Sequence, residues 1–181
     1  MRLDAMIIFA LLFFVLTTIL YLPVFFFLKK RGVELLRQLS YLLFAWSFLI
    51  VVYMTIFSIP PITFSPERYY LNLRPFAWLE GGNIGEFEFL ESIGNVLMLM
   101  PLGALLPVVI KGVRKFWMTV GLIFIIGFSI EFIQYFIGRV ADIDDLIEYV
   151  VGGALGYGWF SFFHWLLKSK TGWLKFIGST K

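Results

Sequence analysis

Glu131 and Gln134 stand three residues apart in an overwhelmingly apolar stretch, so a helix there projects an acid and an amide from one face. A charge in hydrocarbon costs on the order of 2.5–3.5 kcal/mol on insertion scales, so such a group is retained for a ligand, a proton or a specific partner. Close by in sequence lie Asn95 upstream and Arg139, Asp142, Asp144 and Asp145 downstream. A glutamate so placed can accept a proton or bind a headgroup. The amides of Gln134 and Asn95 can hydrogen-bond a ligand, and the planar fork of Arg139 suits a phosphate or carboxylate. The plain alternative is a Glu131 that is protonated, or paired with Arg139 as its nearest counter-charge, and merely ties helices together.

The run Asp142-Ile143-Asp144-Asp145 introduces a glycine-studded apolar helix, and Asp145-Leu146-Ile147-Glu148 has the spacing of a capping box. Carboxylates at a helix start also suit its dipole. Capping accounts for one or two of these four acids, which leaves two further readings. One is a polar-ligand or proton-transfer site; the other is a hard-cation site such as Mg²⁺ or Ca²⁺, with oxygen ligands right in type but few. Catalysis would need two carboxylates in different protonation states, for which Glu131, Asp144 and Asp145 are the candidates. Asn72 and Arg74, in Asn72-Leu73-Arg74-Pro75-Phe76, have two readings: they fold down over the same site, or they are ordinary surface-loop residues.

These groups sit in a chain of 181 residues that is 60% hydrophobic and 20% aromatic, with a mean hydropathy of +0.89. That composition describes an all-α, polytopic membrane protein. Five apolar segments reach the roughly 20 residues needed to cross a ~30 Å hydrocarbon core: Ala5–Leu28, Leu39–Ile59, Ser92–Ile110, Phe116–Ile137 and Leu146–Leu167. The expected fold is one domain, a bundle of five transmembrane helices with a long outer loop. The first span is too long for a secretory leader and is followed by Lys29-Lys30-Arg31, so it stays in the mature chain.

Charge sets the orientation. With the amino terminus outside, the inner segments hold Lys29, Lys30, Arg31, Arg37, Lys111, Arg114, Lys115 and the four lysines of the tail, against Arg2, Arg68, Arg74 and Arg139 outside. Glu34 is the only acid on the inner side. Glu131 then lies six residues, about 9 Å, below the end of its span, and Asn95, about one turn into the third span, reaches a similar depth. The connection Pro60–Glu91, with Tyr69-Tyr70 and Trp78, reads as an interface-hugging loop with a short helix or re-entrant dip about Tyr69–Leu79. Thr171–Ile177 reads as lying on the inner surface.

The absence of cysteine excludes thiolate chemistry, and the single histidine, His164, reads as interfacial and leaves no Cys/His zinc site. Basic residues are scattered in short juxtamembrane clusters despite a net charge of +3, which argues against nucleic acid as a partner. No cofactor follows from the sequence, and a homo-oligomer has no support in it. Gly152 and Gly156 give a G-x-x-x-G spacing that permits close helix contact, read here as intramolecular. Pro101 and Pro107 kink or widen the third span.

Taken in order, Asn72-Leu73-Arg74-Pro75-Phe76, Asn95 before Pro101-Leu102-Gly103, Glu131-x-x-Gln134, Arg139-x-x-Asp142-Ile143-Asp144-Asp145 and Gly152-Gly153-x-x-Gly156 form a pattern. In it the chain resembles the VanZ-like membrane proteins, named for a teicoplanin (glycopeptide) resistance factor, over roughly Leu71 to Tyr157. The resemblance implies a bacterial plasma-membrane protein with an envelope role and lower susceptibility to teicoplanin-type lipoglycopeptides. It supplies no settled reaction. The reading it supports is binding or modification of a membrane lipid or lipid-linked glycan at the outer leaflet, with a non-enzymatic scaffold as the rival. Where the family pattern expects an asparagine in the first turn of the last span, this chain has Tyr149, with Glu148 beside it.

Overall fold

The computed structural model describes residues 3–57, 70–76 and 86–179. Most of the expected outer loop, including Trp78 and the Gly81-Gly82 pair, lies outside the described residues. In chain order the elements are α1 (Leu3–Lys30), α2 (Leu35–Val52) running into a π-helical turn (Tyr53–Phe57), β1 (Tyr70–Asn72) and α3 (Glu86–Val109). A 3₁₀ turn at Lys111–Val113 leads to α4 (Phe116–Phe136), β2 (Val140–Asp142), α5 (Ile143–Leu167) and the short α6 (Thr171–Phe176). Residues 70–72 therefore form a strand where a helix or re-entrant dip was expected.

Among the described residues, four helical stretches are long and apolar enough to cross a membrane: Leu11–Lys30, Leu35–Phe57, Glu88–Val109 and Phe116–Phe136. The remaining long helix, α5, has 25 residues and falls outside that group. It opens on Asp144, Asp145 and Glu148 and carries Gly152, Gly153, Gly156 and Gly158, which dilute its apolar character. Large apolar side chains such as Leu20, Phe26, Phe128, Phe132 and Trp159 stand exposed on the helix surfaces. Water would penalise that surface; a lipid bilayer accepts it.

The core is built where α3, α4 and α5 meet, from Leu99, Leu102, Leu106, Ile123, Ile130 and Tyr149, with Val51 of α2 closing it. Its tightest seam is α3 on α5. A Cβ added at Gly152 would strike the Val96 carbonyl, one at Gly156 the Met100 carbonyl, and one at Gly103 the backbone of Gly153. The expected intramolecular use of the G-x-x-x-G spacing is what is seen, and these contacts run in parallel along both helices. Helix α3 continues through both Pro101 and Pro107.

The end of the bundle holding the 3₁₀ turn and α6 is basic and is organised by two arginines. Arg37 donates from Nη1 to Val108 O (2.6 Å) and Phe176 O (3.2 Å), and from Nη2 to Val109 O (2.7 Å). Arg114 donates to Pro107 O (3.1 Å) and Ile177 O (2.5 Å). Both guanidiniums thus satisfy the orphan carbonyls at the ends of α3 and α6, where the helix dipoles favour cations. Burial, and then the nearby Arg37 charge, lower the Arg114 pKa from its ordinary value, yet a guanidinium stays protonated in proteins. His164 is more than interfacial, because its Nδ1 accepts a hydrogen bond from Trp173 Nε1 (3.0 Å) and so anchors α6.

The seam makes a sharp prediction. Gly156→Ala forces Met100 to move and should lower stability in detergent by about 1–3 kcal/mol, the usual cost of overpacking. Gly158→Ala enters open space and should be nearly neutral. Matched thermal-unfolding midpoints for the two variants would contradict the packing.

Candidate functional site

At the acidic end, helix α4 buries Glu131 and Gln134, which are 7% and 2% exposed, and then stops. Gly138 takes a φ of +79°, a left-handed conformation suited to glycine, and turns the chain toward β2. Strand β2 pairs in parallel with β1, Tyr70 opposite Val140, Leu71 opposite Ala141 and Asn72 opposite Asp142. Residues 70–76, the segment expected on the outer side, are thereby brought onto the aspartate motif.

Asp142 is the centre of that junction. Its Oδ1 accepts the Asp144 N–H (2.9 Å) as the N-cap of α5, and its Oδ2 accepts from Asn72 Nδ2 (2.9 Å). Its own N–H donates to Glu131 Oε2 (2.8 Å). Asp144 accepts the Phe76 N–H on both oxygens, at 2.8 and 3.0 Å, and Asn72 Oδ1 accepts the Arg74 N–H at 3.2 Å. Phe76 has a φ of +60°, uncommon for a bulky residue, so the Asp144 contact holds a strained turn. The Arg74 residue is exposed. The capping box expected at Asp145 and Glu148 is corrected by this geometry: the helix begins three residues earlier and is capped by Asp142.

Freed from capping, Asp145 and Glu148 face α3. Asn95 Nδ2 donates to Asp145 Oδ1 (2.8 Å) and Glu148 Oε2 (2.9 Å), while Ser92 Oγ donates to Glu148 Oε1. Asn95 lies farther along its helix than the expected single turn, because α3 starts at Glu86 and not near Ser92.

Gln134 and Arg139 share a different partner. Gln134 Nε2 donates to Thr55 O (2.9 Å), and Arg139 Nη1 donates to the same carbonyl. The π-helical turn at Tyr53–Phe57 makes this room, since a widened turn takes its carbonyl out of the regular α-helical ladder. The expected Glu131–Arg139 ion pair is therefore absent: among the described residues no carboxylate lies within ion-pair distance of Arg139. Glu131 Oε2 is instead taken by the Asp142 amide. The other oxygen, Glu131 Oε1, is buried, and the Tyr149 hydroxyl is the polar group beside it.

A cavity of about 520 Å³ opens between α2, α3 and the α4–α5 turn, with Glu91, Asn95, Gln134, Arg139, Asp145 and Tyr149 as its polar lining. Four expected site residues reach it: Asn95, Gln134, Arg139 and Asp145. Asn72, Asp142 and Asp144 instead hold the outer segment in place, and Glu131 packs behind them. Sequence reasoning missed Glu91, Ser92 and Thr55; Tyr149, singled out there only as a departure from the family pattern, faces the cavity. Glu91 and Asn95 were legible as an i, i+4 pair on one helix face. Thr55 carried no signal, because its role is a backbone carbonyl in a π turn. Among the described residues no group of three or more His, Asp or Glu is disposed to hold a metal ion.

The Asp144 contact is testable apart from any ligand. Asp144→Ala leaves the Phe76 N–H unpaired, a loss of about 1.5–3 kcal/mol for a hydrogen bond to a charged group, so amide exchange across residues 70–76 should accelerate at least about tenfold. Asp145→Ala, which touches Asn95 and not the outer segment, should leave that exchange unchanged. Equal protection of residues 70–76 in wild type and Asp144→Ala would contradict the assignment.

A family model described as VanZ/LLP1 matches residues 6–164, from within α1 through most of α5. No curated protein and no solved structure matches the chain. The matched region contains the outer segment, the α4–α5 turn, the glycine seam and the whole cavity lining, and the chain belongs to the VanZ/LLP1 family.

Proposed function

We propose that the protein is a VanZ-like, resistance-associated membrane protein whose acidic-end cavity binds the headgroup of a polar lipid or glycolipid at the outer leaflet of a bacterial plasma membrane. In this reading α5 is the fifth span, the amino terminus is outside and the carboxyl terminus is cytoplasmic. The positive-inside partition supports it: Arg37, Arg114 and the lysines of the 3₁₀ turn and tail gather at the end opposite the cavity. Occupying or altering such a headgroup would change sensitivity to lipid-anchored antibiotics of the teicoplanin type.

The observation that carries the reading is the cavity itself. A cationic guanidinium, carboxylates and amides line a 520 Å³ space between apolar helices, and such groups in hydrocarbon usually mark a ligand path. Arg139 would hold a phosphate or carboxylate, with Asn95 and Gln134 as hydrogen-bonding neighbours. Both oxygens of Asp144 are engaged by the Phe76 amide, so any acid–base work falls to Glu131 and Asp145. A purely structural network is the second reading, favoured for Asn72, Asp142 and Asp144 by their mutual hydrogen bonds. Saturable lipid binding without turnover identifies a binder; a headgroup-modified lipid product identifies an enzyme.

Arg139→Gln and Glu131→Gln should each return antibiotic susceptibility, at matched expression, to that of cells lacking the protein. The double variant should be no worse than the worse single one, as for residues of one unit. Full protection by both single variants would leave only the structural network. Orientation has its own test: Gly82→Cys should react with an impermeant reagent in intact cells, and Gly112→Cys only after permeabilisation.

A further inference from the structure

The cavity holds more acceptors than donors, and the imbalance specifies its ligand. Glu91 and Asp145 line it, and Glu148 lies just behind with both oxygens taken by Ser92 and Asn95. Asp145 uses one oxygen on Asn95. Glu131, 7% exposed, lies behind the cavity wall beside the hydroxyl of the cavity-lining Tyr149 and adds a further acid to the cluster. Against these acids stands one guanidinium, Arg139, with one nitrogen already on Thr55 O. Carboxylates that share a low-dielectric site repel one another unless a cation or donor joins them.

Resting on the headgroup reading above, we propose that the ligand is a phospholipid whose headgroup carries both a phosphate and a primary ammonium. The phosphate meets the Arg139 donors not used on Thr55, since a guanidinium offers five N–H groups in a fork. The ammonium meets the free Asp145 oxygen and Glu91, giving three donors to a site short of donors. A quaternary ammonium has no N–H and leaves those acceptors unpaired. A headgroup without an amine adds a negative charge beside the carboxylates. Met54 and Leu97, which are 48% and 58% exposed, line the same cavity. They give the acyl chains an apolar exit along α2 and α3, which selects a lipid over the free headgroup.

The test measures binding of phosphatidylethanolamine, phosphatidylcholine, phosphatidylglycerol and soluble phosphoethanolamine to the full chain in detergent, by native mass spectrometry or thermal shift. Phosphatidylethanolamine should bind at least about tenfold more tightly than each of the others, the worth of one charge-assisted hydrogen bond. Glu91→Gln and Asp145→Asn should each bring the ratio of phosphatidylethanolamine to phosphatidylglycerol toward unity without weakening phosphatidylglycerol binding. Arg139→Gln should weaken both phospholipids. Should Asp145→Asn fail to fold through its Asn95 contact, Glu91→Gln on the exposed rim decides the point. Equal binding of phosphatidylethanolamine and phosphatidylglycerol by wild type overturns the amine assignment and leaves the headgroup reading standing. Equal binding of soluble phosphoethanolamine overturns the lipid, and binding of none of the four overturns both proposals.

Discussion

Backbone contact between α3 and α5 is the constraint on which the site depends. With no hydrophobic drive between helices in lipid, close approach supplies the packing, and only glycine permits it at Gly152 and Gly156. Contact also fixes register. Because Gly152 sits on the Val96 carbonyl, the preceding Asn95 is carried to the opening turns of α5, where it bridges Asp145 and Glu148. A shift of one residue along either helix would remove that bridge and leave carboxylates facing each other.

The parallel run of α3 and α5 requires α4 to return between them, and the turn after α4 becomes the second organising feature. Gly138 reverses the chain and β2 recruits β1. Asp142 then joins three elements through its two oxygens and its amide: it caps α5, holds Asn72 and binds Glu131. One residue thus offsets part of the cost of burying Glu131 and fixes the outer segment. The opposite end shows the same economy with reversed charge, where Arg37 and Arg114 close the carbonyl ends of α3 and α6.

Much of this was legible from residue order. The apolar runs located the long helices within a few residues, and the glycine spacing foretold the tight seam. Charge in apolar sequence named Asn95, Gln134, Arg139 and Asp145, which meet in one cavity. What escaped was backbone chemistry. The capping-box spacing at Asp145 pointed to the wrong cap, since Asp142, in the extended conformation usual for an N-cap, reaches the Asp144 amide and starts the helix three residues earlier. Arg139 was matched to the nearest acid, whereas a π-turn carbonyl at Thr55, invisible in residue types, takes its donor. Pairing between residues 70 and 142 links segments too distant in sequence for local pattern to reveal.

The central claim is that the acidic-end cavity is occupied by a lipid headgroup. The most direct measurement is a structure determined in a bilayer of mixed natural lipids, inspected at the space between Arg139 and Asp145. The account predicts headgroup density there, with a phosphorus position beside the guanidinium and acyl chains leaving past Met54 and Leu97. A cavity filled only by water, with lipids confined to the outer helix faces, would contradict it.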